Sequence, residues 1–362
     1  MDVVLNYLDD HWLDSVYTTL FPSSLANIGV DASTTITDSP TLSLFPRDSI
    51  IRQLVSLFFL AWSSSFLLYM GVSILSYYYL FDRRLEHHPR FLKNQIKMEI
   101  DMSLRSQPII AALIVPWFVA EVRGKTLMYD NFSDYGAGWF QGSMAVFLLF
   151  TDFCIYWIHR WLHIPAIYKR LHKPHHKWVV PTPFASLAFH PLDGYAQSVP
   201  YHLVVFILPV HKWIYLGLFV IINLWTIVIH DGDMISGHLL EKYINSPAHH
   251  TLHHMYFTCN YGQYFTWADS WGGSYRPPRP DLDPIHDAIK NMERKRKLAE
   301  KDQQRIEASA ASASATADER VTVVLDGADS DSGYEGSEAE GEEVAKWAGK
   351  KQGGDGEVRR RR

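Results

Sequence analysis

The stretch GSMAVFLLFTDFCIYWIHRWLHIPAIYKRLHKPHH, residues 142–176, joins an apolar run to a crowd of histidines. Its first part, up to Ile158, has the length and composition of a membrane-spanning helix. Its second part, His159 to His176, has five histidines among eighteen residues. A dense group of titratable side chains at the end of a membrane span indicates a functional site.

Four apolar regions predict an all-α integral membrane protein with about four transmembrane helices. The run Ile50–Phe81 is long enough to span with tilt, and residues 139–158 form another good candidate. Residues 108–120 form a shorter and weaker candidate. Residues 195–229 are too long for one span, and the sequence PVHKW near their midpoint predicts a turn between two short membrane helices, a helical hairpin.

The mean hydropathy of −0.10 is low for a membrane protein because it averages unlike regions. Residues 1–49 are rich in Ser and Thr and have no signal-peptide pattern, so we expect a lumenal, poorly ordered segment. We expect residues 50–280 to form the membrane domain. Residues 281–362 are densely charged, which predicts a cytosolic tail that is largely disordered apart from a polar helix over 284–308.

Composition limits the possible partners and metal ligands. The net charge of −5 gives no indication of a nucleic-acid partner. The two cysteines, Cys154 and Cys259, cannot build a disulfide framework or a Cys-x-x-Cys metal site. Because the chain has 18 histidines, imidazole would provide most of the ligands of any bound metal.

The distribution of basic residues predicts which side of the membrane the histidines face. Residues 82–107 and 160–177 are rich in Lys and Arg, whereas the loop after the second span has only Arg123 and Lys125. By the positive-inside rule, the basic segments and both histidine-rich segments are cytosolic. Asn131, in the single N-glycosylation sequon of the chain, is then expected to be lumenal.

The clustered histidines follow one HxxxH and two HxxHH patterns, formed by His159 and His163, by His172, His175 and His176, and by His250, His253 and His254. Residues at i, i+3 and i+4 share a helical face, so the rings of each box are expected to converge. Eight histidines exceed the needs of one tetrahedral zinc ion, which predicts two metal ions under a cytosolic helical cap.

The identity of the metal stays open from ligand type, because imidazole binds zinc, copper, iron and nickel alike. Zinc hydrolases of the HExxH type place a Glu beside the ligand histidines, and neither cluster contains one. An all-nitrogen site at a membrane favours iron and oxygen chemistry on a lipid.

Asp152 lies inside the third predicted span, seven residues before His159, which places both on one helical face. A metal-bound histidine usually donates its other N–H to a carboxylate or carbonyl. We therefore expect Asp152 to accept a hydrogen bond from a ligand histidine. The alternative is an acid close enough to the membrane interface to be hydrated.

These patterns resemble the fatty-acid hydroxylase superfamily of membrane di-iron enzymes, and within it the sterol C5-desaturases. The similar stretches are TDFCIYWIHRWLH (151–163), LHKPHHKWVVPTPFASLAFHPLDG (171–194), WTIVIHDGD (225–233) and HHTLHHMYFTCNYGQYFTWADSWGGSYRPP (249–278). The resemblance covers about Leu57 to Pro278. The chain departs from it at Ser270, where the family often has Arg, and this difference bears on substrate or partner contacts.

The resemblance implies ten metal ligands, because it adds one histidine from FHPLDG and one from IHDG to the eight in the boxes. The implied set is His159, His163, His172, His175, His176, His190, His230, His250, His253 and His254. His249 either ligates or only precedes its box, and His238 matches no family motif and is left out of the set.

The resemblance also implies a reaction. The protein is expected to use O2 and two iron ions to desaturate a Δ7-sterol at C5–C6 in ergosterol-type synthesis, in the endoplasmic reticulum membrane. The chain contains no Gly-rich dinucleotide fingerprint and no HPGG haem element. The electrons are therefore expected from cytochrome b5 and its NAD(P)H-dependent reductase.

Two alternatives remain. A lipid hydroxylase or C4-methyl sterol oxidase of the same superfamily would share every histidine, although FHPLDG and HDGD favour the desaturase. A histidine-rich zinc transporter would need polar groups within its spans, whereas these clusters lie outside them.

Overall fold

The computed structural model describes residues 1–23 and 43–326, which form helices and loops without a β-sheet. The α-helices of these residues are α1 (Asp2–Leu8), α2 (Asp14–Leu20), α3 (Ile50–Tyr79), α4 (Gln95–Val122), α5 (Gly136–Leu162), α6 (Pro165–Tyr168), α7 (Pro191–Ile207), α8 (Lys212–Val228), α9 (Pro247–Tyr256), α10 (Trp267–Trp271) and α11 (Pro284–Asp326). The prediction of an all-α protein is confirmed.

Three helices of the described residues, α3, α4 and α5, are long and apolar enough to cross a membrane. The sequence placed the first and third within a few residues, but it confined the second to 108–120. Helix α4 begins at Gln95, well before the apolar stretch. Its first half is polar and can be helical there because it faces the protein interior, where Glu99, Ser103 and Gln107 are buried. Hydropathy does not detect the polar half of such a helix, because a buried polar residue has the same hydropathy value as an exposed one.

Helices α7 and α8 form the predicted hairpin. Val204 and Val205 on α7 and Tyr215 and Leu218 on α8 belong to one hydrophobic cluster with Phe147 of α5. Each has 17 residues. At a rise of 1.5 Å per residue, each is about 25 Å long, shorter than a hydrocarbon core of about 30 Å. The structure thus has three long apolar helices and this shorter hairpin, in the order that the sequence predicted.

Residues 2–20 are helical, where the sequence predicted a poorly ordered segment. The reason is Arg52 in the first turn of α3, which is 3% exposed. Its guanidinium contacts the carboxylates of Asp9 and Asp14, each at 2.5 Å. A buried cation requires such partners, so the N-terminal helices are held against α3. Residues 24–42 lie outside the described residues.

The chain divides into two compact units, Met1–Arg296 and Lys297–Arg362. Helix α11 begins in the first unit, and the described part of the second unit is its continuation. The polar helix predicted over 284–308 therefore extends to Asp326. The rest of the charged tail, from residue 327, lies outside the described residues.

Candidate metal centre

Five histidine rings meet where α5 ends. One ring nitrogen from each lies within 4.8 Å of those of the other four. Two rings come from the last turn of α5 and the residue that caps it, two from the loop that follows α6, and one from α9. We call these residues the first histidine group: His159, His163, His172, His176 and His253.

Four further rings form the second histidine group, His175, His230, His250 and His254, again within 4.8 Å. The expectation that each HxxHH box converges on one point is corrected here. Positions i and i+4 of a box lie in one group, and position i+3 lies in the other. In α9 the reason is rotation of about 100° per residue, which turns i+3 and i+4 to opposite sides of position i.

The outer nitrogen of four rings donates a hydrogen bond to a backbone carbonyl. Because a carbonyl only accepts, Nδ1 carries the proton and Nε2 turns a lone pair toward the group. The pairs are His159 with Tyr261 at 2.9 Å, His253 with Cys259 at 2.8 Å, His230 with Thr226 at 2.7 Å and His254 with Trp178 at 2.9 Å.

For His172 the acceptor is a carboxylate instead of a backbone carbonyl. Its Nδ1 donates a hydrogen bond to Asp193 at 2.7 Å. Its Nε2 then faces Nε2 of His159 at 3.1 Å. Since both nitrogens carry lone pairs, no hydrogen bond joins them in the neutral rings, and the lone pairs repel unless a cation lies beside them. This buried, all-nitrogen donor set fits a metal ion.

Burial also sets the charge of the rings. Removal from water, reinforced by the neighbouring rings, lowers the pKa of five of them well below the ordinary histidine value: His175, His176, His250, His253 and His254. Burial lowers the pKa of His230 to about 4. Neutral imidazole is the form that binds metal, so protons do not compete for these nitrogens near neutral pH.

An elongated, mostly apolar cavity of about 300 Å³ opens onto both groups. Its histidine end is lined by His159, His172, His175, His230 and His250. The walls come from α3, α4, α7 and α8, with side chains such as Leu60, Ile110, Phe118 and Phe219. The volume is in the range of small-molecule sites, roughly 300–1,000 Å³. An apolar ligand in this cavity contacts both histidine groups at one end.

His190 does not join either group, in contrast to the other nine histidines of the predicted set. It precedes the first turn of α7, and its Nδ1 accepts a hydrogen bond from the backbone N–H of Leu192 at 3.2 Å. The side chain is therefore the N-cap of α7, a role that motif matching cannot separate from ligation. We leave His190 out of the proposed ligand set.

Asp152 is buried, but its hydrogen bonds do not run to a histidine ring. One oxygen, Oδ1, accepts from the backbone N–H groups of Gln263, Tyr264 and Phe265 at 3.1, 2.8 and 3.3 Å. The sequence predicted that Asp152 orients a ligand histidine. In the structure Asp152 instead accepts hydrogen bonds from the backbone of the loop at Gln263–Phe265. Two helical turns of α5 separate Asp152 from His159. Asp152 therefore lies on the N-terminal side of the histidine rings, beside the loop that follows α9.

His249, whose role the sequence left open, and His238, which was left out of the ligand set, both lie outside the two groups. His249 forms a capping box with Ser246 at the start of α9, and burial lowers its pKa to about 4. His238 is exposed. The orienting carboxylate that the sequence missed is Asp193, which belongs to FHPLDG and lies three residues after His190.

The segment that contains the two histidine groups matches a known protein family. The model of the fatty acid hydroxylase family matches residues 144–274, which include all nine grouped histidines and the whole hairpin. No solved structure matches the chain.

Curated relatives match over most of their length. A Delta(7)-sterol 5(6)-desaturase of Gibberella zeae is 53% identical over 321 residues, 85% of this chain and 99% of the relative. A second one, from Aspergillus fumigatus, is 52% identical over 315 residues, 82% of this chain and 95% of the relative. The lathosterol oxidase of Mus musculus is 49% identical over 254 residues, 69% and 85% of the two chains. The chain therefore belongs to the sterol C5-desaturases, a family of oxidoreductases within the fatty acid hydroxylases.

Proposed function

We propose that this protein introduces the C5–C6 double bond into a Δ7-sterol in ergosterol-type synthesis, the activity for which its relatives are named. The observation that carries the proposal is the apolar cavity that opens onto both histidine groups. A sterol is a rigid hydrocarbon ring system with one hydroxyl group, and apolar walls favour its burial. Such a ligand can present ring carbons to both groups at once.

The nine grouped histidines are the proposed ligands of two iron ions, one for each group. Membership of the fatty acid hydroxylase family supports iron rather than zinc. When bound, iron supplies the oxygen activation that unactivated C–H bonds require. The chain itself holds the rings neutral, turns their Nε2 lone pairs inward and lines the substrate side with apolar groups.

The electron balance implies a partner. Loss of two hydrogens from the sterol provides two electrons, whereas reduction of O2 to two water molecules consumes four. Two electrons and two protons must therefore come from outside, and we propose reduced cytochrome b5 with its NAD(P)H-dependent reductase as the donor. The basic segments 82–107 and 160–177 offer complementary charge to an acidic donor.

We propose that the protein lies in the endoplasmic reticulum membrane with both histidine groups on the cytosolic side, as the basic segments favour. In a variant without Cys154 and Cys259, a new cysteine at the exposed position Lys173 should react with an impermeant maleimide in sealed microsomes. A cysteine at Asn131, also exposed, should react only after permeabilisation. The reverse pattern would place the site in the lumen.

Expression in a yeast strain that lacks its own C5-desaturase tests the activity. The product has two conjugated double bonds, so the ultraviolet absorbance of extracted sterols reports it directly. We expect the wild type to restore the 5,7-diene and His175→Ala to leave the Δ7-sterol unchanged. His238→Ala, which alters an exposed histidine outside both groups, is the matched control and should behave as the wild type.

Wild-type protein that reaches the membrane and leaves the Δ7-sterol untouched would contradict the proposal. A hydroxylated or C4-oxidised sterol in the same extract would assign another reaction of the superfamily. Active purified protein that holds zinc in place of iron would overturn the choice of metal.

A further inference from the structure

Gln107 on α4 is a buried amide without a partner. The residue is 3% exposed, and neither Oε1 nor Nε2 has a hydrogen-bond partner among the described residues. The side chain lines the cavity that leads to the histidine groups. An unpaired amide inside a membrane helix is costly, and buried polar groups of this kind are normally satisfied. This exception indicates a partner that enters from the cavity.

Two other amide side chains of the cavity wall differ from Gln107, because each forms a hydrogen bond within the protein. Nε2 of Gln197 donates to Asp193 at 2.8 Å, and Nε2 of Gln263 donates to Thr226 at 3.0 Å. Outside the two histidine groups, His202 is the one other lining residue of the described chain that buries unpaired polar atoms.

Gln107 and His202 lie at different depths. Ser106, the neighbour of Gln107, donates its hydroxyl hydrogen to the carbonyl of Phe189, and the Phe189 ring lies 4.4 Å from the ring of His175. Gln107 is therefore level with the histidine groups. Asp193, whose carboxylate contacts His172, marks the level of the histidine groups on α7. His202 follows Asp193 by nine residues, so it lies about 13 Å farther along the helix axis, away from those groups.

We propose that the side-chain amide of Gln107 binds the hydroxyl group of the sterol and thereby determines which ring carbons face the histidine groups. This inference rests on the proposed function. A hydroxyl group donates one hydrogen bond and accepts another, and one amide can satisfy both through Oε1 and Nε2. Gln107 is thus a positioning residue that selects the reacting carbons through the hydroxyl.

The geometry of the substrate favours this end of the cavity. Four bonds of about 1.5 Å connect the hydroxyl oxygen at C3 to C6, so the oxygen lies within about 6 Å of the reacting carbons. A hydroxyl at His202 would hold those carbons far from the histidine groups. The ring of His202 instead lies among Trp117, Phe118 and Phe219, with centroids at 6.3, 5.0 and 6.0 Å, a setting that suits the hydrocarbon tail.

Binding measurements in lipid nanodiscs, without O2 or reductant, test the proposal. The probes are lathosterol and its 3-deoxy analogue, which lacks only the hydroxyl. We expect the wild type to bind lathosterol roughly ten- to a hundredfold more tightly than the analogue, because the analogue cannot form the two hydrogen bonds between the hydroxyl group and Gln107. Gln107→Leu should bind both with the weaker affinity.

A stability readout separates positioning from a structural role. Without sterol, Gln107→Leu should unfold at the same temperature as the wild type or higher, because the change removes an unpaired buried amide. A variant that loses stability and keeps the preference for the alcohol would show that the amide serves the fold, and would overturn the proposal.

His202→Phe is the matched control at the deep end, and it should keep the preference for the alcohol. If His202→Phe abolishes that preference and Gln107→Leu does not, the hydroxyl lies at the deep end and the proposal is wrong. Equal binding of both probes by the wild type also overturns it, whether or not the protein makes the 5,7-diene. Diene formation tests the desaturase function separately, because binding needs no turnover.

Discussion

His172 and Asp193 form a fully buried pair in which Nδ1 donates to Oδ2 at 2.7 Å. The second carboxylate oxygen, Oδ1, accepts from Nε2 of Gln197 at 2.8 Å. Both oxygens of Asp193 are therefore engaged by donors. This pair ties the start of α7 to the first histidine group, so the hairpin and the metal centre are positioned together.

Asp193→Asn should fail to replace the carboxylate, because an amide has one acceptor oxygen for two donors. Its NH2 group must face either His172 or Gln197, so one contact is lost. We expect metal content or turnover to fall by about 10–100-fold, as is typical of partners that orient metal ligands. Metal analysis of purified protein together with diene formation measures this.

The control for Asp193→Asn is Asp281→Asn, which makes the same chemical change at an exposed carboxylate paired with Arg279. It should leave metal content and activity unchanged. Asp193→Asn protein with wild-type metal content and turnover would show that the ring of His172 needs no carboxylate.

Asp152 should respond differently to substitution. Its Oδ1 accepts all three backbone N–H groups, and its Oδ2 has no hydrogen-bond partner among the described residues. Asp152→Asn can keep the accepting oxygen and turn its NH2 group to the unused side, so we expect a small loss of stability. Asp152→Ala leaves buried N–H groups unpaired and should cost about 3 kcal/mol.

Thermal unfolding of both Asp152 variants in detergent tests this difference. Metal content per folded molecule should stay near that of the wild type, because no histidine ring contacts the carboxylate. Equal destabilisation by Asn and Ala, or selective loss of metal, would restore the direct role in ligand orientation that the sequence predicted.

Histidine spacing was sufficient to predict that eight clustered histidines converge, and all eight lie in the two groups. The family resemblance was needed for His230, which stands alone in the sequence. Helical rotation separates i+3 from i+4, but the group that each position joins was not predictable, because it depends on how α9 is rotated against the loop before α7. Rotation of packed elements is a tertiary property with no local signal.

The residues that orient the rings were the least predictable part of the site. Four of the five acceptors are backbone carbonyls, which every residue has, so no side chain marks them. Asp193 is an isolated acid in the sequence. Asp152 was a reasonable candidate by helical phase, but the loop at Gln263–Phe265 offered three closer donors.

Cys259 should resist alkylation in the folded protein. The residue is 5% exposed, and burial raises the pKa of its thiol to about 11 from 9.0. Below that pH the neutral thiol predominates, so at pH 8 only about one thiol in a thousand is the reactive thiolate, about a hundredfold fewer than in the unfolded chain. Reactivity should rise as the pH approaches 11.

Mass spectrometry after iodoacetamide treatment at pH 8 measures this, in a Cys154→Ser background so that one thiol remains. Cys259 should be modified slowly in the native protein and rapidly after denaturation. Its carbonyl accepts the hydrogen bond of His253, so the thiol also reports on the segment that holds that ring. Rapid modification of native protein would mean that this segment opens in solution.

His190 and His172 give the sharpest comparison between ligand and cap. Asn is among the best N-cap residues, so His190→Asn should preserve the start of α7 and leave metal content and diene formation at wild-type levels. His190→Ala should lower the free energy of unfolding by about 1 kcal/mol through loss of the cap, with activity per folded molecule retained. His172→Asn makes the same chemical change inside the first group and should abolish activity. If His190→Asn loses metal to the same extent as His172→Asn, the ten-residue ligand set is correct and His190 must turn toward the metal centre on metal binding.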